Sequence, residues 1–99
     1  MYVGDWDDVA EHVLYQYNRY REWGGGRTLA SPDELPRDRY LVGSPEEVAA
    51  GVSSIAERTR CDLLFFWARP PGLAIELANA SLERFAKEVI PRVEAAARA

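Results

Sequence analysis

Apolar and polar positions follow two rhythms along the chain, and the changes of rhythm mark its elements. The opening stretch, "MYVGDWDDVAEHVLYQYNRYREWGGG", begins with an apolar stub at Tyr2 and Val3. Gly4 and Asp5 interrupt it, and Val9, Val13, Tyr17 and Tyr20 then recur at helical spacing. Gly24, Gly25 and Gly26 end that helix. Residues 27–38, "RTLASPDELPRD", are polar and hold two prolines, which predicts a connecting loop with one helical turn at Ser31 to Leu35.

The second unit, "RYLVGSPEEVAAGV", runs to about Arg60 and carries the clearest helix start in the chain. Tyr40, Leu41 and Val42 are strand formers, and Gly43 permits a sharp turn. Ser44 suits a cap, Pro45 loses nothing at the first helical position, and Glu47 stands where a capping-box carboxylate reaches back. Val48, Val52 and Ile55, with Ala49 and Ala56 beside them, then make one apolar stripe. A third unit opens with "CDLLFFWARPPGL", where the unbroken run Leu63 to Trp67 predicts a strand buried on both faces. Pro70, Pro71 and Gly72 stop it. A last helix is strongest over Ser81 to Ile90, with Leu82, Phe85 and Val89 on one stripe. Pro91 is expected to block or kink it, and the Ala-rich residues 92–99 to continue it as a frayed tail.

Three alternations of strand and helix predict an α/β fold with parallel strands and helical crossovers, and 99 residues make at most one domain. Three strands leave two edges and cannot close a barrel, so the chain reads as a partial domain or as one subunit of an assembly. Composition changes this picture little, with 47% hydrophobic and 28% charged residues being ordinary for a globular chain. A formal net charge of −4 and a pI near 5.0 argue against a general nucleic-acid binder. A single cysteine, Cys61, forms no internal disulfide and suits a reducing cytoplasm. No apolar run approaches the roughly 20 residues of a membrane span, and the acidic start lacks the basic region of a signal peptide.

Three stretches taken in order, "RYLVGSPEEVAAGV", "CDLLFFWARPPG" and "SLERFAKEVIPRV", resemble the C-terminal portion of the luciferase-like flavin-dependent monooxygenases and their deazaflavin-dependent relatives. The matching pieces are Gly43 to Val48, Asp62 to Trp67 and Phe85 to Pro91, and "YVGDWDDVAEHV" is more loosely similar to the preceding strand and helix. The resemblance implies the C-terminal (β/α)3-like segment of a TIM (β/α)8 barrel, a fold of roughly 250 residues. It implies an oxidoreductase that binds FMN or a deazaflavin and oxidises a small organic substrate, in a family whose members often form dimers. Most of the barrel and of the flavin-phosphate residues would then lie before Met1. The 99 residues would be inactive alone: a truncated gene product, a separately folded fragment, or a piece that assembles with a partner.

On that reading the turns after the strands form one rim, where barrel active sites are built. Gly43, Ser44, Trp67, Arg69 and Gly72 are the candidate cofactor or substrate residues, together with Asp5 and Trp6 at the same rim. Ser44 is first of all a helix cap, though its turn also offers N–H groups to an anion. Trp67 would stack and Arg69 would supply charge; a Trp ending a buried strand is otherwise core. His12, off the apolar stripe, reads as a surface residue rather than a base, and Cys61 as a buried structural thiol. Asp5, Asp7 and Asp8 suit a helix start better than a cation site, and "WGGGR" lacks the ending of a phosphate loop. Tyr15, Tyr17, Tyr20 and Trp23, interleaved with Arg19, Arg21 and Arg27, read as core plus a subunit interface. No catalytic residue and no metal site is assigned.

A second reading needs no chemistry: a small stand-alone α/β interaction domain, homodimeric, in which Phe65, Phe66 and Trp67 are covered within the chain or by its own copy. A large exposed apolar patch would instead favour a missing partner.

Overall fold

Two strands of two residues each are all the sheet that the described residues contain. The computed structural model describes residues 1–98, and Ala99, the end of the Ala-rich tail, lies outside them. In chain order the elements are β1 (Tyr2–Val3), α1 (Trp6–Trp23), 3-10 turns at Pro32–Glu34 and Arg37–Arg39, and β2 (Val42–Gly43). After them come α2 (Pro45–Thr59), α3 (Ile75–Arg84), a π-helical stretch (Phe85–Val89) and α4 (Ile90–Arg98). The described residues are 64% helix and 4% strand, so the expected α/β segment of a TIM barrel, with three parallel strands and crossovers, is overturned.

The two strands are parallel, with Tyr2 opposite Val42 and Val3 opposite Gly43. The Tyr2 N–H donates to the Leu41 carbonyl at 2.8 Å, and the Gly4 N–H to the Gly43 carbonyl at 2.9 Å. Successive side chains of a strand face opposite ways, so β1 feeds two cores. Tyr2 packs with Val9, Val13 and Leu14 of α1 and with Leu35, Leu73 and Ala78. Val3 packs on the other side with Val48, Ala49 and Val52 of α2 and with Val89.

Side chains close both outer edges of this pair, which is why it stops at two strands. On the far side of β1 the Val3 N–H donates to Ser81 Oγ at 2.7 Å, and Arg84 Nη1 donates to the Val3 carbonyl at 2.6 Å. On the far side of β2, Arg37 donates from Nη1 to the Tyr40 carbonyl at 3.1 Å and from Nη2 to the Val42 carbonyl at 2.9 Å. Each buried backbone group needs one partner, and here Val3 on β1 and the outward carbonyls of Tyr40 and Val42 on β2 already have theirs.

The predicted third strand therefore has no ladder. Residues 63–67 form no strand, although they keep a strand's alternation. Leu64 and Phe66 pack against the α2-side core, while Leu63, Phe65 and Trp67 are 68%, 85% and 87% exposed. Continuous apolarity predicted burial on both faces, and one face is open instead. Among the described residues no backbone N–H from Asp62 to Arg69 donates a hydrogen bond.

The helices follow local chemistry closely. The α2 start carries the full capping box, with Ser44 Oγ accepting from the Glu47 N–H and the Glu47 carboxylate accepting from the Ser44 N–H, both at 3.1 Å. In α1 the buried stripe holds at Val9 and Val13 and fades at Tyr17, which is half-buried, so that Tyr20 is exposed rather than in the core. Pro91 does not block the last helix. It has no N–H to give and its ring would strike the Lys87 carbonyl in a regular helix. The π-helical stretch just before it, in which the Ile90 N–H reaches back to Phe85, widens the backbone there, and α4 continues to Arg98. No helix of the described residues is long and apolar enough to cross a membrane.

Candidate functional site

The carboxyl ends of β1 and β2 open onto a polar cleft of about 500 Å3, and α1 and α2 both begin at its rim. Gly4, Asp5, Trp6, Arg37, Gly43, Ser44, Glu47 and Arg84 line it. Ends of parallel strands beside helix N-termini are where such folds hold ligands, because unpaired N–H groups gather there.

Several groups that would bind an anion are engaged, although the Trp6 and Asp7 N–H groups at the uncapped start of α1 have no acceptor among the described residues. The Ser44 and Glu47 N–H groups are held in the capping box, and Pro45 has none. Arg84 and Arg37 spend donors on main-chain carbonyls, and the Arg37 guanidinium also lies 4.3 Å from the centre of the Trp6 ring. Carboxylates complete the wall: Asp8 accepts from the buried Tyr2 hydroxyl at 2.9 Å, and Glu47 faces the Gly43 turn. Burial, and then the Asp8 hydrogen bond and charge, push the Tyr2 hydroxyl up to about 12. The Ser44 N–H, and then its hydroxyl, hold the Glu47 carboxyl below its usual value. Carboxylates on the wall and arginines spent on main-chain carbonyls make a poor phosphate cradle, so the residues present here do not by themselves fit a flavin or deazaflavin.

The five candidate residues do not meet. Gly43 and Ser44 line the polar cleft, whereas Trp67, Arg69 and Gly72 lie away from it. The Trp67 carbonyl accepts from the Met1 amino group at 2.7 Å, at the start of β1 rather than at its end, so its place is opposite to the rim expected of a third barrel strand. Arg69 Nε donates to the Leu73 carbonyl at 2.8 Å and closes its own turn. Gly72, at φ 86°, belongs to that turn, and a Cβ there would come within 3.0 Å of His12 Nδ1. Trp67 lines instead an apolar groove of about 310 Å3 with Met1, Tyr40, Leu41, Ile55 and Phe66.

Other candidates also find their places. His12 is half-buried against Gly72, and Cys61 is exposed rather than buried, its Sγ accepting from Thr59 Oγ1 at 3.1 Å. Asp5 gives no side-chain cap to α1. Tyr20 and Trp23 meet edge to face at 5.5 Å on the exposed side of α1, with the Arg19 guanidinium 5.5 Å from the Trp23 ring. Sequence reasoning passed over Arg37, Ser81 and Arg84, the residues that terminate the sheet. Only Ser81, a small polar residue on an apolar helix stripe, left a trace of its role in the spacing. Comparison with models of protein families, with curated proteins and with solved structures finds no match to this chain.

Proposed function

We propose that the chain is a small association domain with no chemistry of its own, which acts by binding protein along the edge formed by residues 62–68. One observation carries this reading. The segment has a strand's alternation, three large apolar side chains turned outward and no hydrogen bond from its N–H groups within the described residues. Such an edge is a template for pairing with another chain. The separation of Gly43 and Ser44 from Trp67, Arg69 and Gly72 also speaks for association over catalysis.

A second reading keeps the flavin- or deazaflavin-dependent oxidation of a small organic substrate. The ordered pieces Gly43 to Val48, Asp62 to Trp67 and Phe85 to Pro91 favour it. On that reading the covering protein supplies the cofactor site, and these residues alone do not turn over.

The test is purification from the protein's own cells without denaturation, followed by light scattering and an absorbance spectrum. The association reading expects a particle heavier than 11.2 kDa that falls to that mass when Phe65 and Trp67 are both changed to Lys. A particle of 11.2 kDa from the unchanged chain overturns it. Flavin or deazaflavin absorbance that travels with the particle would transfer the case to the second reading.

A further inference from the structure

Away from the polar cleft the chain has a second hollow of opposite chemistry, and what it can bind does not depend on the association reading. We propose that the apolar groove between α1, residues 39–42 and the 63–67 run is a binding site for a small organic acid, its apolar body in the groove and its carboxylate paired with Arg39.

Side-chain size makes the hollow. Tyr2, Val9 and Val13, all buried, form the floor, with Ile55 of α2 at one side. Tyr40 and Trp67 stand as walls. Rings at the rim over short aliphatic groups leave an open groove of about 310 Å3. That is the small end of the roughly 300–1,000 Å3 usual for ligand pockets, so a single ring or a short branched chain suits it better than a nucleotide cofactor. Water gains little there, because an ordered water needs several polar partners and the aliphatic floor offers none.

The groups at the rim set the charge of the ligand. The chain has 16 acidic against 12 basic side chains, yet no Asp or Glu lines the groove, and Arg39 is the one charged side chain that does. Arg37, two residues earlier, is spent on main-chain carbonyls and the Trp6 ring. Arg39 forms no ion pair and no side-chain hydrogen bond among the described residues. Burial pushes the Tyr40 hydroxyl up, the Tyr17 hydroxyl adds to the rise, and the Arg39 charge opposes it, as a guanidinium close to that hydroxyl would. Gln16, half-buried on α1, also brings an amide without a partner to the lining. A guanidinium and neutral donors above an apolar floor match a carboxylate with an apolar body. The planar fork of an arginine takes both oxygens at once, and nothing acidic in the groove repels them.

The experiment titrates the full chain with phenylbutyrate, with its neutral amide phenylbutyramide and with acetate, by calorimetry and by methyl NMR. Phenylbutyrate is expected to bind about tenfold more tightly than the amide, with contacts from its ring protons to the methyls of Val13 and Ile55. Acetate, which has the charge without the body, should give no saturable binding. Arg39 is exposed and its side chain holds nothing in the fold, so Arg39→Gln keeps the wild-type circular dichroism. This variant should lower the affinity for the acid to that for the amide and leave the amide unchanged. An acid that does not bind, equal affinity for acid and amide, or an acid affinity untouched by Arg39→Gln overturns the proposal. So does a particle from the protein's own cells that refuses the acid because a partner polypeptide contacts the Val13 and Ile55 methyls; the association reading then stands. Acid bound in the groove of a particle that remains at 11.2 kDa supports the proposal and ends the association reading.

Discussion

Tyr2-Val3 and Leu63 to Trp67 are stretches of the same character, short and apolar, yet one is the best-buried part of the molecule and the other carries, at Phe65 and Trp67, its most exposed apolar side chains. Their difference lies in partners. β1 has β2 on one side and Ser81 with Arg84 on the other, so every polar group of Val3 is bonded and both of its faces meet core. The 63–67 run has a core on one face only and no ladder at all. Apolar composition brings a segment to the protein; hydrogen-bond partners decide whether it becomes a strand.

Substitutions break or sharpen that contrast, beginning with the largest effect. Leu73→Ala, at the buried centre of the α1-side core, is expected to destabilise by about 2–5 kcal/mol in urea unfolding, since a cavity adds to the lost burial. Ser81→Ala keeps the volume nearly unchanged and removes the acceptor of the Val3 N–H. Ser81 is fully buried, so a loss of about 1–3 kcal/mol is expected by the same measurement. Equal stability in Ser81→Ala would mean that the capped edge of β1 contributes nothing.

Ionisation gives a third test. The folded state holds the Tyr2 hydroxyl neutral up to about 12, above its ordinary value of 10. A raised folded value means that this stability is complete below pH 10 and is lost as pH rises from there toward 12. Thermal scans across that window should show Tm falling in the wild type and falling less in Tyr2→Phe. A smaller effect is expected at the α2 start, where Ser44→Ala removes one side of the capping box and should cost about 1 kcal/mol. Glu47 sets the accompanying pH response. Its carboxyl is held low, so its contribution is present above the ordinary glutamate range and is lost as pH falls through the folded value. Smallest of all, Phe65→Lys should change the stability of the monomer by less than about 0.5 kcal/mol, because its ring touches water rather than core.

What was legible in the sequence was what neighbours along the chain decide. Ser44, Pro45 and Glu47 announce the α2 start without help from the rest of the protein, and Val9, Val13, Val48 and Val52 mark their buried faces by spacing. The glycines after Trp23 stop α1 as their type predicts. What was not legible depends on distant residues. No local pattern says that Ser81 and Arg84 will reach Val3, some 80 residues away, and take the positions of a third strand. With those positions filled, the 63–67 run cannot join the sheet. Arg69 and Gly72 are therefore placed by the turn at residues 69–73, and Trp67 by the Met1 amino group, rather than by a barrel rim. Pro91 was read by its usual effect, and the π-helical stretch before it, a backbone adjustment with no residue signature, removed the obstacle.

The two arginines at the sheet edges have a consequence for growth. A sheet whose outer carbonyls are held by guanidinium groups cannot recruit strands without first displacing a charge, so it resists the stacking by which open edges build fibrils. Such a protein can offer one apolar run to a neighbour and still stay out of filaments, because the neighbour finds nowhere to add the next molecule.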